Sequence, residues 1–168
     1  RGNQLFVNNK PIKLHGVNRH EAHPLRGRSL TPAQWRADAE LFRAANCNYI
    51  RTSHYPPAEE FIEACDELGL FVEQEAPPCW VGHGANQTWR KDDPHSVDLQ
   101  ATILRGTLEM IQRDRSQPSV IIWSLANESS WVPNFRKSFE LADIADPTRL
   151  KSFHDQSWGG WNSFGSNT

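Results

Sequence analysis

The hydrophobic and polar positions of the chain change period repeatedly, between the alternation of strands and the three-to-four-residue spacing of amphipathic helices. One uninterrupted apolar run covers residues 120–123, inside a β-rich stretch at residues 119–125. A run of this kind, bounded by polar residues, is typical of a strand buried on both faces in a parallel sheet. Asn127 and Glu128 follow it, so an amide and a carboxylate stand where the strand leaves the core.

The whole pattern predicts five strands that alternate with four helices. After a leading segment at residues 1–11, strands are predicted at residues 12–17, 48–52, 70–75, 119–125 and 150–153. Helices are predicted between them, near residues 31–46, 57–69, 97–111 and 135–146. Alternation of this kind is typical of a parallel α/β sheet.

Cap residues predict where two of the helices begin and end. Thr31 suits an N-cap, Pro32 suits the first helical position, and Gln34 completes a capping box. Asn46 can end this helix in the left-handed conformation, and Gly69 can end the next helix. These boundaries are therefore predicted independently of the apolar spacing.

Polar side chains stand at the C-terminal end of every predicted strand. A (β/α)8 barrel gathers polar groups at all of its strand ends, whereas a doubly wound sheet concentrates its site at one switch point. No glycine-rich nucleotide-binding pattern follows any strand. A complete barrel needs about 200 residues or more. The chain therefore predicts the N-terminal part of one TIM barrel, about five of its eight β/α units. We expect those units at residues 12–155, and a loop or tail at residues 156–168.

Composition and charge exclude several classes of function. The 18 basic and 20 acidic residues give a net charge of -2, which does not favour a nucleic-acid partner or a membrane surface. No apolar stretch approaches the roughly 20 residues that cross a bilayer. The three cysteines are too scattered for a disulfide framework or a zinc motif. The chain begins at Arg1 without a signal peptide, so we interpret it as an excised piece and assign no compartment.

Four segments of the chain carry a resemblance to a known family. They read GVNRHEAHP at residues 16–24, RTSHYP at 51–56, CDELGLFV at 65–72 and RDRSQPSVIIWSLANES at 113–129. Together they closely resemble the catalytic barrel of glycoside hydrolase family 2, the β-galactosidase and β-glucuronidase family. The form N-E-S at residues 127–129 is more similar to the β-galactosidases.

The resemblance implies a role for each matching residue. Glu128 matches the acid/base carboxylate of the family, and Asn127 matches the asparagine that binds the sugar 2-hydroxyl. His20 and His54 match two histidines that line the sugar site, and Arg51 matches an arginine that orients the nucleophile. The implied activity is hydrolysis of terminal β-glycosidic bonds in a β-linked oligosaccharide or glycoside, by a retaining mechanism. A carboxylic acid suits the first role because a glycosidic oxygen is a good leaving group only when it is protonated.

Three departures from the family pattern also shape the prediction. The family nucleophile is a glutamate on the seventh strand, so we expect it downstream of this chain. Galactosidases with a magnesium site carry Glu-x-His after the third strand; here His83 can match the histidine, but Val81 stands in place of the glutamate. We therefore expect no cofactor and no magnesium site. The sugar-binding and immunoglobulin-like domains that precede the family's barrel lie outside this sequence.

A second hypothesis is a carbohydrate-binding or assembly fragment without catalysis, which functions when another chain completes the barrel. Under either hypothesis, five strands leave exposed sheet edges. We expect the isolated chain to be inactive and to associate with itself or with the remainder of the barrel.

Several other residues stay open on the sequence alone. Glu73 and Glu75 end the third strand, and we expect only one of them to face the barrel interior. One or two of the tryptophans in or beside the loops can form a stacking platform for a sugar ring, and the rest are predicted to pack in the core or to clamp loops: Trp80, Trp89, Trp131, Trp158 and Trp161. His15 is predicted to be a structural histidine in mid-strand, and His154 is predicted to be a loop residue.

Overall fold

The computed structural model describes residues 4–82 and 97–155. Within these residues, two strands form an antiparallel hairpin: β1 (Leu5–Val7) and β2 (Lys10–Ile12). Five more strands form one parallel sheet whose spatial order follows the sequence: β3 (Gly16–Arg19), β4 (Tyr49–Thr52), β5 (Phe71–Glu75), β6 (Val120–Ser124) and β7 (Leu150–Ser152). Each pair of adjacent strands is connected by a helix: α1 (Pro32–Ala44), α2 (Glu59–Leu68), α3 (Val97–Asp114) and α4 (Pro133–Ala145). The predicted succession of β/α units is therefore confirmed.

The hairpin shortens the first predicted strand. The prediction of a strand at residues 12–17 is wrong in its first half, because Ile12 pairs with Leu5 across the hairpin. Asn8 and Asn9 have positive φ angles of 49° and 63°, the conformation that tight two-residue hairpin turns require. The turn at these two asparagines thus draws residues 10–12 away from the parallel sheet.

The first strand of the parallel sheet begins at Gly16, against Tyr49 of β4. A Cβ atom on Gly16 would lie 1.8 Å from the carbonyl oxygen of Tyr49 and 2.7 Å from its ring. Only glycine therefore fits this position. His15 lies before the strand, contrary to the prediction, and is exposed. Its backbone N–H donates to Oδ1 of Asn48 at 2.7 Å.

The predicted helix caps are present in the structure. Thr31 precedes α1, and its backbone N–H donates to Oε1 of Gln34 at 2.9 Å. Asn46 follows α1 with a φ of 63°, and Gly69 ends α2 with a φ of 67°. Among the described residues, no helix has both the length and the apolar character that crossing a bilayer requires.

The face of the parallel sheet that meets the helices is mainly apolar. Ile50, Val72 and Trp123, from three adjacent strands, are fully buried on this face. They pack in one cluster with Phe61 of α2 and Ile111 of α3. Full burial of such a side chain contributes about 1.5–3 kcal/mol to folding. This helix-facing side is therefore the main source of stability in the described part of the chain.

The buried carboxylate of Asp146 lies on the same side of the sheet. Nε1 of Trp123 donates to Oδ2 of Asp146 at 2.9 Å, and Arg149 Nη1 lies 2.6 Å from the same oxygen. The hydroxyl of Thr148 donates to Oδ1 of Asp146 at 2.5 Å. Burial alone would raise the pKa of Asp146, but the hydrogen bonds from these three residues hold it well below its usual range. Asp146 therefore remains charged, and it ties the strand to the end of α4.

The opposite face of the sheet is polar. Side chains two residues apart on a strand point to the same side. Tyr49 and Arg51 of β4, Glu73 and Glu75 of β5, and Ser124 of β6 all face away from the helices, as their mutual hydrogen bonds show. This face corresponds to the barrel interior, and its polar character sets the chemistry of the site.

Candidate active site

The predicted site residues meet at the C-terminal ends of the parallel strands. His20 follows β3 directly, Arg51 lies in β4, and His54 and Asn127 follow β4 and β6. Arg51 Nη2 donates to Oδ1 of Asn127 at 2.8 Å and lies 3.4 Å from Nδ1 of His54. The rings of His54 and His20 make an edge contact, with centroids 5.0 Å apart. These four side chains therefore form one continuous set.

Glu128 lies beside this set, where the chain leaves β6. Its backbone φ is 42°, in the left-handed region that residues other than glycine rarely adopt. Its Oε2 accepts a hydrogen bond from Nε1 of Trp80 at 2.6 Å. Trp80 also has a left-handed φ, of 61°. Unusual conformations at two contacting residues indicate that the surrounding loops fix their positions.

Two loops are joined by backbone hydrogen bonds at this point. The N–H of Asn127 donates to the carbonyl of Pro78 at 3.0 Å, and the N–H of Trp80 donates to the carbonyl of Asn127 at 3.1 Å. The hydroxyl of Ser129 donates to the same Asn127 carbonyl at 2.8 Å. The loop after β5 therefore holds the loop after β6, which carries Glu128.

Glu75, the last residue of β5, is fully buried and accepts hydrogen bonds at both oxygens. Nδ1 of His54 lies 2.6 Å from Oε1. Nε of Arg51 and Oγ of Ser124 each donate to Oε2 at 2.7 Å. Burial by itself would raise the pKa of Glu75, but the hydrogen bond from His54, the charge of Arg51 and the bonds from Ser124 and Arg51 lower it below its usual value. The carboxylate is therefore anionic at neutral pH.

The two histidines of the set present different hydrogen-bonding atoms. An anionic carboxylate only accepts, so Nδ1 of His54 carries the hydrogen that Glu75 receives. This contact occupies Nδ1 and leaves Nε2 as the ring nitrogen of His54 that a ligand can meet. For His20, burial is the largest cause that lowers its pKa, followed by the neighbouring His54 and Arg28. His20 is therefore neutral at pH 7.

Both acidic residues of β5 face the interior. The expectation that only one of them does so is wrong, because Glu73 and Glu75 are two residues apart and share a face. Glu73 is buried and accepts hydrogen bonds from the hydroxyl of Tyr49 and from Oγ of Ser152, the latter at 2.5 Å. Its Oε1 also lies 2.7 Å from Nε2 of His154. The ring of His154, predicted to be a loop residue, thus reaches into the interior.

Cys79 is a neighbour of the site that the sequence did not reveal. Its Sγ accepts a hydrogen bond from Nδ2 of Asn127 at 3.4 Å. Burial is the main cause that raises the pKa of this thiol; the bond from Asn127 opposes it, and the negative charges of Glu128 and Glu75 add to it. Cys79 is therefore a neutral thiol that supports the Asn127 amide. Its position could be anticipated only from the pairing of the two loops.

Tryptophans take different roles in this region. Trp80, one of the tryptophans considered for stacking or loop clamping, donates a hydrogen bond to Glu128. Trp131, another of them, packs edge-on against Phe153, with ring centroids 4.9 Å apart, beside a buried apolar cluster. The other tryptophans considered for these roles, and His83, lie outside the described residues: Trp89, Trp158 and Trp161.

The residues after β5 do not fit a magnesium ion at the position that the resemblance implies. Val81 is fully buried and packs in the cluster of Leu99 and Ile103, and its side chain has no oxygen to offer a hard cation. His83 lies outside the described residues. Across residues 4–82 and 97–155, no three His, Cys, Asp or Glu side chains are placed to hold a metal together. That the protein requires no magnesium stays a prediction.

Comparison with known proteins gives the family of this chain. The family model "Glycosyl hydrolases family 2, TIM barrel domain" matches residues 1–163. The chain belongs to glycosyl hydrolase family 2. A β-galactosidase of Vibrio cholerae is 39% identical over 146 residues, which are 86% of this chain and 14% of that protein.

Two solved structures of the family are similar to the fold described above. A β-D-glucuronidase from Dictyoglomus thermophilum has a TM-score of 0.83 and 31% identity, and the match covers 92% of this chain and 28% of that one. A β-galacturonidase from Eisenbergiella tayi, bound to galacturonate, has a TM-score of 0.79 and 27% identity, covering 91% and 27%. The chain spans less than a third of each of these three relatives. The parallel sheet is therefore part of a TIM barrel, and the predicted family is confirmed.

Proposed function

We propose that the protein to which this chain belongs hydrolyses terminal β-glycosidic bonds by a retaining mechanism, with Glu128 as the acid/base. The observation that carries the proposal is the position of Glu128: it leaves β6 beside Asn127, and Trp80 holds one of its two oxygens. The C-terminal ends of barrel strands are where TIM-barrel enzymes place their catalytic groups.

The hydrogen bond from Trp80 gives the two oxygens of Glu128 different environments. An indole N–H is only a donor, so it fixes Oε2 as an acceptor. Within the described residues, no hydrogen bond reaches Oε1. Oε1 is therefore the oxygen that carries the proton to the glycosidic oxygen and later takes one from water.

Asn127 and the histidines support substrate binding in this proposal. Arg51 occupies Oδ1 of Asn127, so the carboxamide is fixed with its NH₂ group turned away from Arg51. That NH₂ group can donate to the sugar 2-hydroxyl, a contact that gains strength as positive charge develops on the ring. The neutral His20 and Nε2 of His54 suit sugar hydroxyls, which both donate and accept.

The nucleophile of the proposed reaction is not among the interior carboxylates described above. A retaining glycosidase needs a second carboxylate about 5 Å from the first, with an oxygen free to attack. Both oxygens of Glu75 accept hydrogen bonds, and Glu73 is bound by three side chains. We propose that the nucleophile is a glutamate on a later barrel strand of the full-length protein.

The substrate is proposed as a β-linked glycoside or oligosaccharide with an accessible terminal sugar. We take β-galactosides as the first substrates to test, because the N-E-S form at residues 127–129 resembles the β-galactosidases. β-Glucuronides are the alternative, since structures of similar fold include a β-D-glucuronidase. We further propose that the reaction needs no cofactor, and that the remainder of the barrel must pair with the edge strands for activity.

The test is turnover of aryl β-galactosides and aryl β-glucuronides by the full-length protein, with the anomer of the first-formed sugar followed by NMR. The proposal expects hydrolysis of one series and initial release of the β-anomer. Initial release of the α-anomer would contradict the retaining mechanism. Sugar binding without turnover of either series would favour a carbohydrate-binding role instead.

A further inference from the structure

We infer that Glu75 is a positioning residue of the active site, which holds Arg51, His54 and, through Arg51, Asn127 in the arrangement that sugar binding requires. The inference rests on the proposed function of the same site. Glu75 is not one of the residues that the family resemblance assigns. In the proposed reaction it touches none of the reacting atoms and acts through its neighbours.

The geometry gives Glu75 a separate contact with each neighbour. Its Oε1 faces Nδ1 of His54, and its Oε2 receives Nε of Arg51 and Oγ of Ser124. Arg51 Nη2 lies 2.5 Å from Oε2 and donates to Asn127 at 2.8 Å. The position of the Asn127 amide therefore depends on Arg51, and the position of Arg51 depends on Glu75.

The charge of Glu75 has a second consequence. The guanidinium of Arg51 is always protonated, so without Glu75 this buried cation would have no counter-charge among the described residues. A glycosidase transition state carries positive charge on the sugar ring. An unpaired cation among the sugar-binding groups would oppose that charge, and Glu75 removes this opposition by pairing with Arg51.

Glu73 supplies a matched comparison within the same strand. It is buried, faces the same interior, and is also bound by a histidine and a serine hydroxyl. None of its hydrogen bonds goes to the residues proposed to bind the sugar. Glu73→Gln therefore makes the same chemical change as Glu75→Gln without touching the Arg51–Asn127 contact.

The experiment compares Glu75→Gln with Glu73→Gln in the full-length protein. Crystal structures of both variants show whether Arg51 still reaches Asn127. Kinetics give kcat/KM on an aryl glycoside. Inhibition measurements give the affinities for two ligands: the neutral sugar product, and an iminosugar of the same configuration that is protonated at the ring.

For Glu75→Gln we expect loss of the Arg51–Asn127 contact and a fall in kcat/KM of about 10²-fold, because misplaced binding groups cost that much. We also expect affinity for the cationic iminosugar to fall about tenfold more than affinity for the neutral product, since one negative charge has gone. Glu73→Gln should keep the contact and leave the ratio of the two affinities unchanged.

Two results for Glu75→Gln would overturn the inference. Either Arg51 and Asn127 keep their contact, or the iminosugar and the sugar product lose affinity equally. If the wild-type protein hydrolyses no β-glycoside, the proposed function fails, and the crystal structures still decide whether Glu75 positions Arg51.

If Glu75→Gln does not fold, Ser124→Ala replaces it and Ser152→Ala is its control, because these hydroxyls bind Glu75 and Glu73 respectively. Ser124→Ala should then lower kcat/KM about tenfold, and equal kinetics in the two serine variants would overturn the inference.

Discussion

The two faces of the parallel sheet are built from neighbouring residues of opposite chemistry. On β4, Ile50 packs against the helices, whereas Arg51 faces the interior and binds Glu75. On β5, Val72 belongs to the apolar core, whereas Glu73 accepts hydrogen bonds in the interior. All of these side chains are buried. The helix-facing side gains stability from apolar burial, whereas the interior side must pair each polar group to avoid a desolvation cost.

This difference separates stability from function. TIM-barrel interiors are usually filled by branched apolar side chains. Here the interior positions near the strand ends carry charged and hydrogen-bonding groups that converge on the proposed sugar site. We therefore expect changes on the helix-facing side to lower stability, and changes at the interior residues that hold Arg51 and Asn127 to lower activity.

The largest expected effect on stability comes from the helix-facing side. Ile111→Ala on α3 leaves a cavity in the fully buried cluster and should lower the free energy of unfolding by about 2–5 kcal/mol. Urea denaturation of the full-length protein measures this loss. The folded variant should keep its kcat/KM. A tenfold fall in kcat/KM would show that the helix-facing side also controls activity.

On the interior side, Arg51→Lys should lower kcat/KM by about 10²-fold. A lysine keeps the charge, but its single ammonium cannot hold Glu75 and Asn127 in the geometry of the guanidinium. The control is the neighbouring Ile50→Val, which should cost about 0.5–1.5 kcal/mol of stability and leave kcat/KM unchanged. Equal kinetics in the two variants would contradict a role of Arg51 in the site.

A smaller effect, dependent on pH, is expected at Asp146. Its pKa is lowered in the folded state, so its stabilising contribution is present above the pKa of the unfolded chain and is lost as the pH falls through the folded pKa. Asp146→Asn should cost about 2 kcal/mol at pH 7, the range for hydrogen bonds to a charged group. Unfolding measured from pH 7 down to pH 3 should show the difference between variant and wild type shrinking with acidity. A difference in the free energy of unfolding that stays constant with pH would mean that the charge of Asp146 does not cause its stabilising contribution.

The smallest expected effect is that of metal removal. Because Val81 replaces the acidic ligand, a chelator should leave the activity of the full-length protein unchanged. The prediction would be wrong if a chelator abolished the activity, if magnesium restored it, and if His83→Ala removed both responses.

The sequence predicted the elements, and the strand end that carries Asn127 and Glu128, through local signals. The apolar run before Asn127 and Glu128 marked a buried strand that ends in polar groups. The caps at Asn46 and Gly69 followed from the conformations that these residue types tolerate. The roles of the site residues came from the family resemblance and stay proposals.

Contacts between distant residues could not be predicted from the sequence. Trp80 and Glu128 are 48 residues apart, and their hydrogen bond depends on how two loops pair. Glu73 and His154 are 81 residues apart and meet only because β5 and β7 lie in one sheet. The shared face of Glu73 and Glu75, by contrast, was available from the two-residue period of a strand.

The variant Glu128→Gln tests most directly, in the full-length protein, whether Glu128 is the acid/base. Hydrolysis of a natural disaccharide should fall by roughly two to four orders of magnitude, because its leaving group needs a proton. An activated aryl glycoside should lose much less in bond cleavage, since its leaving group departs unprotonated.

The decisive measurement is turnover of the activated aryl glycoside by Glu128→Gln with added azide. Without its base the variant should accumulate the glycosyl-enzyme, and azide, which needs no deprotonation, should restore turnover and yield a β-glycosyl azide. Equal losses on both substrates, with no azide product from a variant that remains folded, would contradict the assignment of Glu128.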